Sequence, residues 1–240
     1  MTKKALIALG ILILTGGTAF AQNNTVTVDI GPTIVGLAVG PAINAVVSEL
    51  ENSASGFGIG AQYERQILKS FSVAGRFAYL GAGLKLPVEE SSVNATLDID
   101  LKSFSVEGHA RYYPFGETFF VDGMVGYANL STTLDGSVSV KGYGTVPVGS
   151  FSPSRNYLKL GAKLGWRFCF GNNGGFTFEP SFGYSYGIGL GDSIEDQLAD
   201  QVKKVTGSGV AEDFNDAFKY IENLVFIGGP RVSLAFGWRF

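Results

Sequence analysis

His109, the only histidine of this chain, shares a strand face with Ser103, Ser105 and Glu107. Alternate residues of an extended strand point the same way. A serine–histidine–acid relay can therefore be drawn along this segment, and such a relay would activate a hydroxyl for acyl transfer. The same face also carries Arg111, and Asp122 follows on the next segment. A histidine set between an arginine and an aspartate reads more simply as a member of an ion network. One histidine and one cysteine are too few for a transition-metal site. Cys169, inward by parity and near a short turn, has no second cysteine to pair with. The sequence therefore assigns no catalytic residue, no cofactor and no metal ligand.

Charge recurs on one parity of segment after segment: Asp29, Glu64, Arg76, Glu107, His109, Arg111, Asp122, Lys163, Arg167, Glu179, Arg231 and Arg239. Folding each hairpin about its short turn brings Glu64 towards Arg76, Asp122 towards His109 and Arg111, and Glu179 towards Arg167. Opposite charges on facing positions stabilise a strand pair. Asp29 is the expected neighbour of Arg231 and Arg239, closing the set into a ring. These side chains form a structural ion network if their common face is enclosed, because an enclosed charge must be paired.

The elements that must position them are strands with a two-residue period. Large apolar groups occupy the other parity: Val26 and Val28; Phe57, Ile59 and Tyr63; Phe71, Val73, Phe77 and Tyr79; Phe104, Val106 and Tyr112; Phe119, Val121, Val125 and Tyr127; Leu158, Leu160, Leu164, Trp166 and Phe168; Phe176, Phe178, Phe182, Tyr184 and Tyr186; Val232, Leu234, Phe236, Trp238 and Phe240. That makes eight strands. Short turns sit at Lys69-Ser70, Pro114 to Thr118 and Gly171 to Gly175. Long connections run about Gly40 to Ser55, Gly83 to Asp100, Ser131 to Asn156 and Asp192 to Asn223.

Alternating short and long connections, apolar groups on one face and aromatics at strand ends predict an all-β chain. Its form is an eight-stranded antiparallel up-and-down transmembrane β-barrel, apolar face to lipid and charged face inward. Towards the outer strand ends the inward residues become small, as at Gly58, Gly60, Ala78, Gly126 and Ala128. Such small residues either relieve crowding where strands coil and bend or leave a pocket, open to the outside, for a small apolar ligand.

The chain begins with two lysines, an apolar run from Ala5 to Leu14 and Ala19-Phe20-Ala21. This is the layout of a secretory signal peptide over residues 1–21, with the barrel domain over 22–240. Removing Lys3 and Lys4 takes the net charge from -3 to -5. No basic surface suited to nucleic acid is present. The last long connection changes to a helical period. Ile194, Leu198, Val202 and Val205 share one face, Phe214, Ala217, Phe218 and Ile221 another, with a glycine break between. Residues 191–223 are thus expected to form an acidic helical hairpin in an extracellular loop. A shorter helix is expected from Pro41 to Asn52.

The segment "ARYYPFGETFFVDGMVGYANL", Ala110 to Leu130, resembles the strand–turn–strand centre of small outer-membrane β-barrel proteins. The ending "AFGWRF" resembles the signal that barrel-assembly machinery recognises, with Phe236, Trp238 and Phe240 carrying it. The pattern of the whole mature chain is similar to the group formed by the OmpA transmembrane domain, OmpX and OmpW-like proteins. The resemblance implies an outer-membrane location in a Gram-negative-type envelope, with outer-membrane lipid and the assembly machinery as partners. It also implies a non-enzymatic, porin-like function, either binding or admitting small apolar solutes or contacting a surface partner through extracellular loops.

Overall fold

In a computed structural model, residues 24–32, 34, 53–90, 93–140, 144–171, 174–191 and 229–240 are described. The expected signal peptide, the helix from Pro41 to Asn52 and the helical hairpin lie outside them.

Ten strand segments are present: β1 (Asn24–Asp29), β2 (Ser53–Leu68), β3 (Phe71–Glu90), β4 (Val93–Tyr112), β5 (Phe119–Val140), β6 (Gly144–Phe151), β7 (Ser154–Trp166), β8 (Phe168–Phe170), β9 (Gly175–Leu190) and β10 (Gly229–Arg239). Eight of them form the ring β10-β1-β2-β3-β4-β5-β7-β9, which β9–β10 pairing closes. Every pairing is antiparallel. The remaining two are extensions. β8 resumes β7 beyond Arg167 and stays on β9. β6 folds back on the far end of β5. The first and last strands meet at the seam, where Asn24 and Phe240 exchange backbone hydrogen bonds at 2.9 Å in both directions. A closed ring leaves no strand edge to lipid, as a spanning sheet requires.

The outward side chains are bare. Phe77 is 50% exposed, Val125 52% and Trp238 59%. A continuous belt of such residues is untenable in water and is what hydrocarbon requires. The inward face holds the charge: Glu64, Arg111 and Glu179 are each 2% exposed and Asp122 is fully buried.

Two expected long connections are not loops. β3 and β4 pair without interruption from Phe71↔Tyr112 to Glu90↔Val93. β5 runs on to Val140. The reason is that the two-residue period does not stop. In Val93-Asn94-Ala95-Thr96-Leu97-Asp98-Ile99-Asp100-Leu101-Lys102 it continues with the faces exchanged. Here the inward parity is apolar, with Ile99 and Leu101 buried, and the outward parity carries Asp98, Asp100 and Lys102. Inward Leu130 and Tyr157 are each 1% exposed at the same level, beside the buried Ala82 and Ala128. Below this level the outside is apolar and the inside charged; above it the outside is polar and the inside apolar. The exchange marks where lipid ends and water begins.

A 20-residue strand has a contour of about 65 Å, or roughly 50 Å of height at the usual tilt, against an apolar band about 25 Å tall. β3 to β6 therefore stand clear of the membrane as a sheet. Lys85 lies in that sheet and Cys169 at the opposite, short-turn end, both exposed. With Lys85→Cys, a membrane-impermeant maleimide applied to intact cells should label residue 85. The natural Cys169 should react only once the outer membrane is permeabilised. Labelling of Cys169 in intact cells would reverse the orientation.

Candidate functional site: a luminal ion network

Strand register delivers the inward charges to one another. Arg76 stands opposite Glu107, Arg111 opposite Asp122, and Asp122 opposite Lys163. Two clusters result.

The lower cluster is built around Glu64. Its oxygens accept from Arg111 at 2.5 Å, Arg167 at 2.6 Å, Tyr113 at 2.6 Å and Ser72 at 2.7 Å. Both guanidinium groups also reach Glu179, Arg167 at 2.6 Å and Arg111 at 2.9 Å. Arg111 donates a further bond to Asp122 at 2.8 Å. Two aromatic rings floor this cluster. Arg111 lies 4.4 Å from the Phe120 centroid and Arg167 5.4 Å from that of Tyr113, distances at which a cation is attracted to the ring face. Gly165 makes the room, since a Cβ there would collide with the Phe120 ring.

The upper cluster is a chain of charges: Asp29 and Arg76 at 2.7 Å, Arg76 and Glu107 at 2.7 Å, Glu107 and Arg231 at 2.6 Å. His109 joins the two clusters. Its Nδ1 lies 2.9 Å from Asp122 and its Nε2 3.4 Å from Glu107. Among the described residues no serine hydroxyl is hydrogen-bonded to His109. Ser105 donates instead to Glu107, at 3.2 Å. Both carboxylates near the imidazole also accept from arginine, Glu107 from Arg76 and Asp122 from Arg111, which sets His109 inside the ion network.

Three expected pairings differ. Glu64 does not meet Arg76, because the register sets Gln62, not Glu64, opposite it. Arg76 turns to Asp29 and Glu107, and Glu64 takes Arg111 and Arg167. Asp29 does not close the ring through Arg231 or Arg239; its neighbour on β10 is Ala235. Arg239 leaves the network altogether. It sits at the short-turn rim and ion-pairs with Glu117. The hydrogen bond from Arg239 holds the Glu117 carboxyl below the usual carboxylate range. Cys169, inward by parity, is nonetheless exposed, because β8 runs past the point where the lumen is closed.

With this geometry in place, the chain can be set beside known proteins. The family described as Autotransporter beta-domain matches residues 44–206. The chain belongs to the autotransporter β-domain family. It is a small outer-membrane β-barrel of eight ring strands. Solved structures similar to it include Ail, the attachment invasion locus protein of Yersinia pestis, at 14% identity and a TM-score of 0.43, covering 91% of this chain and 99% of that one. A major outer membrane protein from Thermus thermophilus is 11% identical with a TM-score of 0.44, covering 92% and 100%. CarO2 of Acinetobacter baumannii is 14% identical with a TM-score of 0.37, covering 80% and 98%. No curated protein matches the sequence.

In this family member a cavity of about 90 Å³ lies beside the upper cluster, against β9 and β10. Lys159, Lys163, Arg76, Arg231 and several serines line it. Ala78, Leu80, Pro32, Pro230 and Val232 line it as well, so its walls are mixed where the sequence led us to expect an apolar pocket. Beyond it, Leu101, Leu130 and Tyr157 are buried at inward positions. Of the small inward residues that suggested a pocket, Ala78 lines this cavity, and Ala128 is buried at the level of the larger Leu130 and Tyr157.

Sequence reading missed Tyr113 as a member and Lys159 as a buried luminal cation beside the network. Tyr113 was hidden beside the girdle residue Tyr112, yet has the opposite parity. Lys159 shares the parity of Lys163 and could have been included on that ground.

Glu64→Ala should remove one counter-charge from each of two buried arginines and cost about 3–5 kcal/mol. Asp98→Ala breaks an exposed pair with Lys85, 3.4 Å apart, and should cost less than about 1 kcal/mol. Urea unfolding in lipid vesicles, followed by the gel shift of the folded barrel, measures both. Equal losses would mean that the lumen is wet.

Proposed function

We propose that this chain is a non-enzymatic outer-membrane barrel that holds a surface-interaction platform, with its lumen acting as a structural plug. The observation that carries this reading is the exchange of faces in β3, β4 and β5. Those strands leave the membrane, acquire an apolar interior of their own and turn polar side chains outward. A barrel that only admitted solutes would have no use for a sheet standing clear of the bilayer. In the sequence, the acidic residues 192–222 connect β9 to β10 at the same end of the barrel as that sheet. The terminal Phe236, Trp238 and Phe240 serve assembly, and residues 1–21 serve export.

Passage of a small apolar solute has less support. It would have to cross the buried side chains of both clusters, and the cavity beside them is lined by charge. The family is described by the word autotransporter. Export of another chain through this lumen would mean parting Glu64, Arg111, Arg167 and Glu179 at once, leaving each buried charge unpaired.

Two measurements test the reading. Purified protein in a planar bilayer should show no steady conductance; stepwise opening in the unmodified chain would overturn the plug. Displayed on a non-adherent Gram-negative cell, the intact chain should confer adherence to cells or surfaces. Removing residues 86–97 and 136–148 should leave a folded, heat-modifiable barrel without that adherence. Equal adherence of the trimmed barrel would exclude the projecting sheet as the platform.

A further inference from the structure

Among the described residues, carboxylates and cations in the lumen do not balance. Asp29, Glu64, Glu107, Asp122 and Glu179 face Arg76, Arg111, Arg167, Arg231, Lys159 and Lys163. The surplus is local. Lys159 is 8% exposed and, among the described residues, makes neither a hydrogen bond nor an ion pair. Its charged neighbours are Arg231, Glu107 and Arg76, two cations and one acid. That acid is fully engaged: Glu107 accepts from Arg76, from both terminal nitrogens of Arg231 and from Ser105. Lys163 is little better placed. Its one carboxylate oxygen, on Asp122 at 3.4 Å, is already held by Arg111 at 2.8 Å. Asp29, the acid on the cavity wall, has one oxygen on Arg76 and the other on the Gly31 N–H, each at 2.7 Å.

Lys159, Lys163, Arg76 and Arg231 all line the cavity, and Ser181 and Ser185 line it with them. An ammonium offers three donors and no acceptor, and a hydroxyl can donate one more. The Arg76 Nε–H is buried without a partner. The cavity thus gathers positive charge and unused donors around a space of about 90 Å³, whereas a single water needs only about 10–15 Å³.

We propose that this cavity is a binding site for a small oxyanion of the phosphate or sulfate class, with Lys159 as its principal ligand. The anion supplies the negative charge that the network lacks. It sits between Lys159 and Lys163 and accepts from the serine hydroxyls of β9. Charge-assisted hydrogen bonds of this kind are the strong ones, and the low dielectric of the lumen strengthens them further. The site is independent of the surface platform, and its failure would leave that reading intact.

The full chain in detergent micelles, free of phosphate and sulfate, is titrated with inorganic phosphate by calorimetry, and its melting temperature is followed in parallel, since a ligand of the folded state raises it. Saturable binding at millimolar or tighter is expected, with a rise in melting temperature. Lys159→Gln should weaken binding by about tenfold or more. Lys69→Gln, on the exposed turn between β2 and β3, should leave it unchanged. Absence of saturable binding to the unmodified chain, or equal binding to Lys159→Gln, would overturn the proposal. If Lys159→Gln does not fold, crystals of the unmodified chain soaked in selenate decide. An anomalous peak within hydrogen-bond reach of Lys159 Nζ supports the site, and its absence there overturns it. Glycerol phosphate in the same titration separates the sources. Binding as tight as that of inorganic phosphate assigns a phosphomonoester such as a lipid headgroup, and binding of the inorganic ion alone assigns the free oxyanion.

Discussion

A narrow lumen cannot leave a charge unpaired. The Born cost of taking an ion out of water is large, and only close opposite charges with satisfied hydrogen bonds offset it. Glu64 shows how the structure meets that requirement. Four donors converge on its two oxygens, from β3, β4, the turn after β4 and the link between β7 and β8. The donors are themselves shared, since Arg111 and Arg167 each bind Glu179 as well. Removing any member leaves others buried with fewer counter-charges, so the barrel wall is held in one register by its contents.

That dependence explains why backbone and side chains agree. A one-residue slip between β4 and β5 would turn Arg111 and Asp122 to opposite faces, one of them into lipid. Backbone hydrogen bonding alone tolerates such a slip; the ion pairs do not. Closing the ring through β9 and β10 then places Glu179 and Arg231 where the chain's first half has left carboxylate and guanidinium groups waiting. The rim pair of Glu117 and Arg239 is different in kind. It is partly open to water, and it ties the turn after β4 to the last strand without taking part in the buried set.

Much of this was legible in the sequence, and what was not has a physical cause. Parity is a local property, so the apolar and charged faces of each strand could be read residue by residue, and short turns fixed which strands are neighbours. Partner identity is not local. Glu64 sits on the same hairpin as Arg76, but a two-residue offset in register and the reach of an arginine side chain decide that Arg76 crosses to Asp29 and Glu107. Glu64 is met from β4 and by Arg167, 103 positions away. Strand ends were misjudged for a related reason. Between Gly83 and Asp100 the apolar residues change parity, which looks like the end of a strand when only one solvent is considered. The strand in fact continues into a second solvent.

The same strand therefore obeys two opposite rules along its length. In the membrane, burying charge and exposing hydrocarbon is stable because lipid covers the outside. Beyond it, Ile99, Leu101, Leu130 and Tyr157 form an ordinary apolar interior, and water covers Asp100 and Lys102. The two halves rest on different forces. The upper half depends on removing apolar area from water, and the lower half on pairing charges that have nowhere else to go. The boundary between them falls at inward Ser103 and Ser105, one step above Glu107 and His109. It is there that the cavity lies, at the level where neither an apolar core nor a closed set of ion pairs fills the space. A gap at that level follows from joining two packing schemes in one barrel, and the surplus of cations around it gives the gap its chemistry.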